Sequence, residues 1–403
     1  MVDLGDGVTI LLGANGLGKT NIVEAIEVLS TGSSHRASGS LPLVQRGRRG
    51  AVIRANVSST TPDGGTADVT YELTIAARGA NRARVNGGPS AYLRDVVGRV
   101  PSVSFTPDDQ RLVTGDPASR RGFLDQAGSL LIGGYTARLQ TLAKIARQRA
   151  ALLKQLADGD HADARSAALS GLEVWTGQFI ELGVQVTHDR QTIVDRLDGP
   201  FRRIHAALSG GADARIRYEP SFDETLADGD PRPAISAHFQ RIYPGEVARG
   251  QNLIGPHRDD LSVLLDGMPA REFASNGEMW TMALSLRMAL FETVADERGE
   301  KPIVILDDVF AQLDESRRAQ ILDFASRQDQ VLITAAAAGD IPGDLADGRA
   351  RIIDVAVLRR AQDDWLTPDP AAFGLTVASS GPSAPTADGP ASADSNAPAG
   401  DTR

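Results

Sequence analysis

Eight residues near the start of the chain, Gly13-Ala14-Asn15-Gly16-Leu17-Gly18-Lys19-Thr20, fit the pattern G-x-x-x-x-G-K-[ST]. Glycines at these positions let backbone N–H groups turn inward on phosphate oxygens. Lys19 then reaches the β- and γ-phosphates, and the Thr20 hydroxyl is placed to ligate Mg²⁺. The spacing differs from the dinucleotide fingerprint G-x-G-x-x-G, which disfavours a nicotinamide or flavin site. A phosphate loop needs a carboxylate-tipped strand beside it, and Pro302 to Asp308, "PIVILDD", supplies one. Asp307 is expected to hold the Mg²⁺ shell, and Asp308 to orient the attacking water, with Lys19 as the other catalytic group. Asp308 is one methylene shorter than a glutamate, so slow hydrolysis is expected.

A second candidate is Ser275-Asn276-Gly277-Glu278, ahead of an apolar helical run. Ser with Glu three residues on makes a capping box. A helix start with Ser and Gly is also suited to a γ-phosphate. The box accounts for Ser275 and Glu278 but not for Gly277, which weakens a first turn unless something approaches the backbone closely. Both readings stand on the sequence alone.

These residues must be positioned by strands and helices. Val8 to Leu12 reads as a strand, and Ile22, Ala25, Ile26 and Leu29 mark a helix face after the loop. From Ala51 to Ala76, alternating stretches around "TTPDGG" read as antiparallel strands. Arg120–Leu156 and Ala164–Leu208 read as two or more long helices, and Ala234–Tyr243 as another between Pro233 and Pro244. The fold class expected is α/β, a P-loop ABC-type ATPase head with a mixed sheet and a helical lid lobe. The expected domains are 1–125 (head, with the β lobe), 126–245 (helical lid), 246–366 (rest of the head) and 367–403, a disordered Pro/Ala/Ser/Gly/Asp tail.

Composition sets bounds. The 403 residues hold no cysteine, which excludes disulfides and thiolate metal sites, and fits a reducing cytoplasm. No apolar run of about eighteen residues occurs, so no membrane span is expected. The six histidines show no close pair in sequence, so no zinc site is expected. Net charge is −10, which argues against non-specific nucleic-acid binding. Basic residues nonetheless cluster. Arg46, Arg48, Arg49 and Arg82, with Lys144, Arg147, Arg149 and Lys154, are the candidates for DNA phosphates.

The order of phosphate loop, "SNGE" helix, "ILDD" and "AQLD" (Ala311 to Asp314) resembles an ABC-type ATPase head. More specifically, "GSSHR" (Gly32 to Arg36), "TPDDQRLVTGDPASRRGFLD" (Thr106 to Asp125), "GPHRDDL" (Gly255 to Leu261) and "ILDDVFAQLDESRRAQIL" (Ile305 to Leu322) resemble the RecF family. The resemblance implies that two heads close around two ATP molecules, Ser275 and Gly277 of each capping the other's nucleotide. It implies an ATP-dependent homodimer with Mg²⁺, binding single-stranded DNA and single-strand/duplex junctions. It also implies work with RecR and RecO, help in loading RecA, support of the SOS response, and weak DNA-stimulated ATP hydrolysis.

Two features depart from the family pattern. Only MVDLGDG precedes Val8, where the family has a strand with a Phe-Arg pair; either the true start lies upstream, the reading preferred, or a sheet edge and a nucleotide contact are lacking. "LITAAAAGD" offers no switch histidine after the last core strand, and Thr334, near that place, is not assigned its role. "GPHRDDL" is expected to be a fixed loop with a structural or nucleotide-sensing role, and His35-Arg36 is motif-like. The rival functions are a small-molecule kinase, which would stay monomeric with ATP, and an architectural DNA-binding protein indifferent to ATP.

Overall fold

The structure is a computed structural model that describes residues 2–36, 39–60, 63–158, 162–310, 313–341 and 350–366. Met1–Ala356 form one compact unit. Of the second unit, which begins at Val357, the described part is the continuation of one helix. The expected tail, 367–403, lies outside the described residues, as do Ala311 and Gln312.

Strand β1 (Gly7–Leu12) is apolar because both of its faces are covered, and Ile10 and Leu11 are wholly buried. It feeds helix α1 (Lys19–Thr31) through the glycine loop. Strands β2 (Gly50–Thr60), β3 (Thr66–Ala76), β4 (Arg82–Val85) and β5 (Ala91–Tyr92) form an antiparallel sheet in that order. One face of this sheet, with Tyr71, Leu73, Ile75 and Ala83, is buried in a cluster shared with Val28 and Leu29 of α1. The chain returns through β6 (Ser102–Phe105) and runs into α2 (Pro117–Leu131), capped by Asp116.

The helical lobe follows: α3 (Tyr135–Asp158), α4 (Ala162–Ser209) and, after β7 (Ala214–Glu219), α5 (Arg232–Arg249). The two stretches read as long helices fall in α2, α3 and α4, and Ala164–Leu208 lies in a single 48-residue helix with Pro200 inside it. At 1.5 Å per residue this is roughly 70 Å of helix. Pro244 does not end α5; the helix continues to Arg249, where Gly250, at φ 60°, caps it. The lobe's interior, with Leu142, Phe179 and Phe239, belongs to the same buried cluster as the head residues Ile10, Leu306 and Ile333.

The remaining elements are β8 (Asp260–Leu265), β9 (Met268–Pro269), α6 (Asn276–Arg298), β10 (Ile303–Leu306), α7 (Glu315–Ala325), β11 (Gln330–Ala335), β12 (Arg351–Asp354) and α8 (Val355–Leu366). The central sheet has the order β12-β1-β11-β10-β6, and every neighbouring pair in it is parallel. The antiparallel strands sit in two separate sheets, β2–β5 and β7–β9. In a parallel sheet all carboxyl ends fall on one edge, where open α/β folds place their ligands.

Charged side chains inside the lobe are paired. Arg149 is 2% exposed, donates to both carboxylate oxygens of Glu246 at 2.8 and 2.6 Å, and also reaches Asn252 and Thr176. The expectation that Arg149 faces DNA is therefore wrong: its position on α3 turns inward toward α5. Arg190 bridges Asp125 and Asp259, each at 2.8 Å. Asp259 belongs to "GPHRDDL", is fully buried, and also accepts from Tyr218 and from the Ser221 amide. Gly255 sits at φ 127°, and a Cβ there would lie 2.5 Å from the Phe179 ring. That loop is built into the helical lobe.

Removing one partner of a buried pair leaves an uncompensated charge, which costs about 3–5 kcal/mol. Glu246→Ala is expected to destabilise the protein by about that much in urea unfolding. A loss below about 1 kcal/mol would show that Arg149 finds other compensation.

Candidate functional site

The glycine loop leaves β1 with the Gly13 amide donating to Ala335 O at 3.1 Å. Gly16 and Gly18 sit at φ 83° and 103°, conformations that disfavour any side chain. Gly18 is the N-cap of α1 and offers no side-chain cap, so the first amides of the helix stay available. Ala14, Asn15 and Gly16 are exposed. Lys19 is buried, and its ammonium folds back onto Gly13 O at 2.8 Å and Asn15 Oδ1 at 3.3 Å.

Strand β10 brings the carboxylates to this loop. Thr20 Oγ1 lies 3.4 Å from Asp307 Oδ1, although 287 positions separate them. Thr334, at the end of β11, donates to Asp307 Oδ1 at 2.6 Å and accepts from the Asp308 amide at 2.9 Å. The sheet register sets this convergence, because Leu11 aligns with Thr334 and Leu306 with Ile333. Asp308 adopts φ 51°, a left-handed conformation for a non-glycine residue. Such strain, about 1–3 kcal/mol, clusters at functional sites. Burial pushes the Asp307 carboxyl up; the hydroxyl of Thr334 opposes this, and the Asp308 charge adds to it.

His35, which the sequence offered only as part of a motif-like His-Arg pair, sits beside these carboxylates. Its side chain is 12% exposed; Nδ1 meets Glu27 at 2.7 Å and Nε2 lies 3.8 Å from Asp307 Oδ2. Burial works to lower its pKa, but the Glu27 hydrogen bond and the charges of Glu27, Asp307 and Asp109 win, and His35 is raised. Glu27, buried on α1, is lowered overall: burial opposes, and His35 prevails. The polar Glu27 within a helix otherwise buried on that side was the available signal. Asp109 in turn binds Arg287 of α6 at 2.8 Å, and Gln110 Nε2 donates to Asn276 O at 3.2 Å. The "TPDDQ" turn thus links the strand beside β10 to the start of α6.

At that start the capping box is formed. The Glu278 amide donates to Ser275 Oγ at 3.3 Å, and the Ser275 amide donates to Glu278 Oε2 at 2.8 Å. Ser275 remains exposed. An added Cβ at Gly277 would lie 2.6 Å from Arg317 Nη2 of α7, the far end of a flexible side chain that can move aside. The Arg317 guanidinium also pairs with Asp314 at 3.1 Å and lies over the Trp280 ring.

Of the DNA candidates, Arg46, Arg48, Arg49, Arg82, Lys144, Arg147 and Lys154 are exposed. Elsewhere, Asp223, Glu224 and His238 bring ligand atoms within 4.8 Å of one another, a cluster that sequence spacing did not announce; His238 there pairs with Glu224 at 2.7 Å.

A glycine loop and a two-carboxylate strand meeting at the carboxyl edge of a parallel sheet define an α/β P-loop head of the ABC ATPase type. The sequence profile of the RecF/RecN/SMC N terminal domain matches residues 1–342. A protein of Bifidobacterium adolescentis, called DNA replication and repair protein RecF, is 64% identical over 382 residues, covering 94% of this chain and 92% of that one. A protein of the same name from Frankia alni is 40% identical, covering 88% and 94%. A solved structure of the recombination mediator protein RecF-ATPrS in the RecFOR pathway superposes with TM-score 0.75 at 26% identity, covering 88% of this chain and 92% of that one. A RecF-ATP structure superposes with TM-score 0.74. The chain belongs to the RecF family.

A raised His35 pKa stabilises the fold fully below the unfolded value, about 6.5, and that contribution is lost as pH rises through the folded value. Without nucleotide, the melting-temperature advantage of the natural protein over His35→Gln is therefore expected to be largest below pH 6.5 and to shrink toward pH 8.5. An advantage independent of pH would contradict the Glu27–His35 pairing.

Proposed function

We propose that this chain is an ATP-dependent DNA-binding protein of recombinational repair and replication. ATP with Mg²⁺ closes two copies into a dimer, the dimer holds single-stranded DNA and single-strand/duplex junctions, and slow hydrolysis releases them. The observation that carries the reading is the junction of Lys19 and Thr20 with Asp307 and Asp308, in a chain whose relatives are RecF proteins and whose structural neighbours include RecF-ATP.

Each residue has a role in this reading. The loop Gly13, Ala14, Asn15, Gly16, Leu17 and Gly18 wraps the phosphates, anchored to β11 by the Gly13 amide, and the Lys19 ammonium leaves Gly13 O for the β- and γ-oxygens. Thr20 and Asp307 would hold Mg²⁺. A hydroxyl 3.4 Å from a carboxylate that burial has pushed up is a donor set suited to a hard cation, which would favour the ionised carboxylate. The cation's chemistry is neutralisation of developing phosphate charge. Asp308 orients the attacking water from its left-handed backbone, tied to Thr334. Ser275 and Gly277 cap the partner copy's γ-phosphate, Ser275 exchanging its bond to Glu278 for the phosphate. We further propose that the protein acts in the cytoplasm, that RecR and RecO are its partners in loading RecA and supporting the SOS response, and that α3–α5 serve as a lid beside the head.

Sedimentation velocity with and without ATP–Mg²⁺ tests this. The natural protein is expected to shift from monomer to dimer with ATP. Lys19→Met is expected to abolish the shift by losing nucleotide, and Ser275→Arg to abolish it while monomeric ATP affinity stays within about twofold. Asp308→Asn is expected to hold the dimer and lower turnover by about 10²-fold or more. A protein that remains monomeric at saturating ATP fits the kinase reading instead, and DNA binding indifferent to ATP fits the architectural one.

A further inference from the structure

The four-stranded sheet β2–β5 has one buried face and one open to water, and the register shows what the open face carries. Val52 aligns with Thr74, Thr74 with Arg82, and Arg82 with Tyr92, so one row crosses all four strands. In the next row Arg54 aligns with Glu72 and Glu72 with Arg84. Alternation assigns both rows to the solvent side, because Leu73, Ile75 and Ala83 between them are buried. Val52 is 55% exposed and Tyr92 39%.

Two guanidiniums share the Tyr92 ring. Arg82 Cζ lies 4.0 Å from the ring centroid and Arg94 Cζ lies 4.4 Å from it. Like charges held on one ring repel, and a cation–π contact at an exposed site is weak. Local carboxylates do little to offset this. Arg94 has an exposed contact with Asp95 at 3.8 Å, and Glu72 is already taken by Arg54 at 2.7 Å. Among the described residues, no carboxylate lies within ion-pair distance of Arg82 or Arg84. The Asn81 amide binds Ser40, and the Ala77 amide binds Arg49 O, so the loop with exposed Arg46, Arg48 and Arg49 is fastened at one end of this sheet. On a chain of net charge −10, a face where arginines outnumber carboxylates is a local reversal of sign.

We propose that this open sheet face is the DNA-contacting surface, with Tyr92 holding Arg82 and Arg94 as a paired clamp on backbone phosphates. The inference rests on the DNA-binding reading above and assigns its location. A polyanion supplies what the local carboxylates do not, and a ring that fixes two forks in advance lowers the ordering cost of binding. Phosphate contact of this kind is independent of base sequence and weakens with salt. Tyr92 is a positioning residue here, acting through the two arginines.

The test uses the full chain with ATP–Mg²⁺ and fluorescent gapped, single-stranded and duplex DNA, with affinity read by anisotropy across KCl concentrations. Arg82→Gln/Arg94→Gln is expected to weaken binding about tenfold or more and to reduce the salt slope by about two phosphate contacts. Tyr92→Phe is expected to retain both affinity and slope, whereas Tyr92→Ala loses affinity with the arginines intact. ATP-dependent dimerisation and melting temperature are expected to stay at the natural values in each variant, which separates this surface from the nucleotide site and from misfolding. Unchanged affinity and slope in the double variant would overturn the assignment. A natural protein that binds none of the three DNAs with ATP would overturn the functional reading and this surface with it.

Discussion

The arrangement of the head depends on one interaction, the parallel pairing of β11 between β1 and β10. It places the end of β1, where the glycine loop begins, level with the end of β11, and sets the tip of β10 on the other side of β11. Thr334 makes the junction specific. Its hydroxyl touches Asp307 and receives the Asp308 amide, so two carboxylates of one strand are held in different surroundings by a residue of the next. A slip in strand register would move Thr334 away from both, because successive side chains in a strand point to opposite faces.

Around that junction lies a chain of polar contacts reaching the start of α6. Glu27 holds His35, His35 faces Asp307, and the "TPDDQ" turn beside them carries Asp109 to Arg287 and Gln110 to Asn276. In the proposed function, the residues that receive a chain's own nucleotide and those that cap its partner's lie at the two ends of this set of contacts, of which Asp109–Arg287 is buried and Gln110–Asn276 exposed. Buried networks of this kind are rigid when fully satisfied. Arg317 of α7 lies over the Trp280 ring in the first turns of α6. The helical lobe is fixed by different means. Its buried arginines, Arg149 and Arg190, are each held by several partners, and "GPHRDDL" supplies one of those partners, Asp259.

Much of the fold and of the phosphate loop was legible in the sequence, because both are local signals. An apolar run ending in Gly-x-x-x-x-Gly-Lys-Thr forces a strand, a tight loop and a helix in that order. The position of Asp307 was legible through strand chemistry, and its contact with Thr20 followed from pairing the two motifs. His35 stood out only as motif-like and its contacts were not legible, because Glu27 lies across a helix end and Asp307 is far along the chain. Arg149 was misread for the same reason: helical spacing shows which residues share a face, not whether that face meets water or Glu246. Pro244 was taken as a helix end, but packing of α5 against the lobe carries the helix through it.

The central claim is that each copy completes the other's nucleotide site. Mixing Lys19→Met with Ser275→Arg tests it most directly, since each variant alone lacks one half of every site. A mixed dimer rebuilds a single intact site from the loop of one chain and the α6 start of the other. The account predicts that the mixture regains ATP-dependent association and a fraction of the natural turnover that neither variant shows alone. A mixture as inert as its components would contradict it.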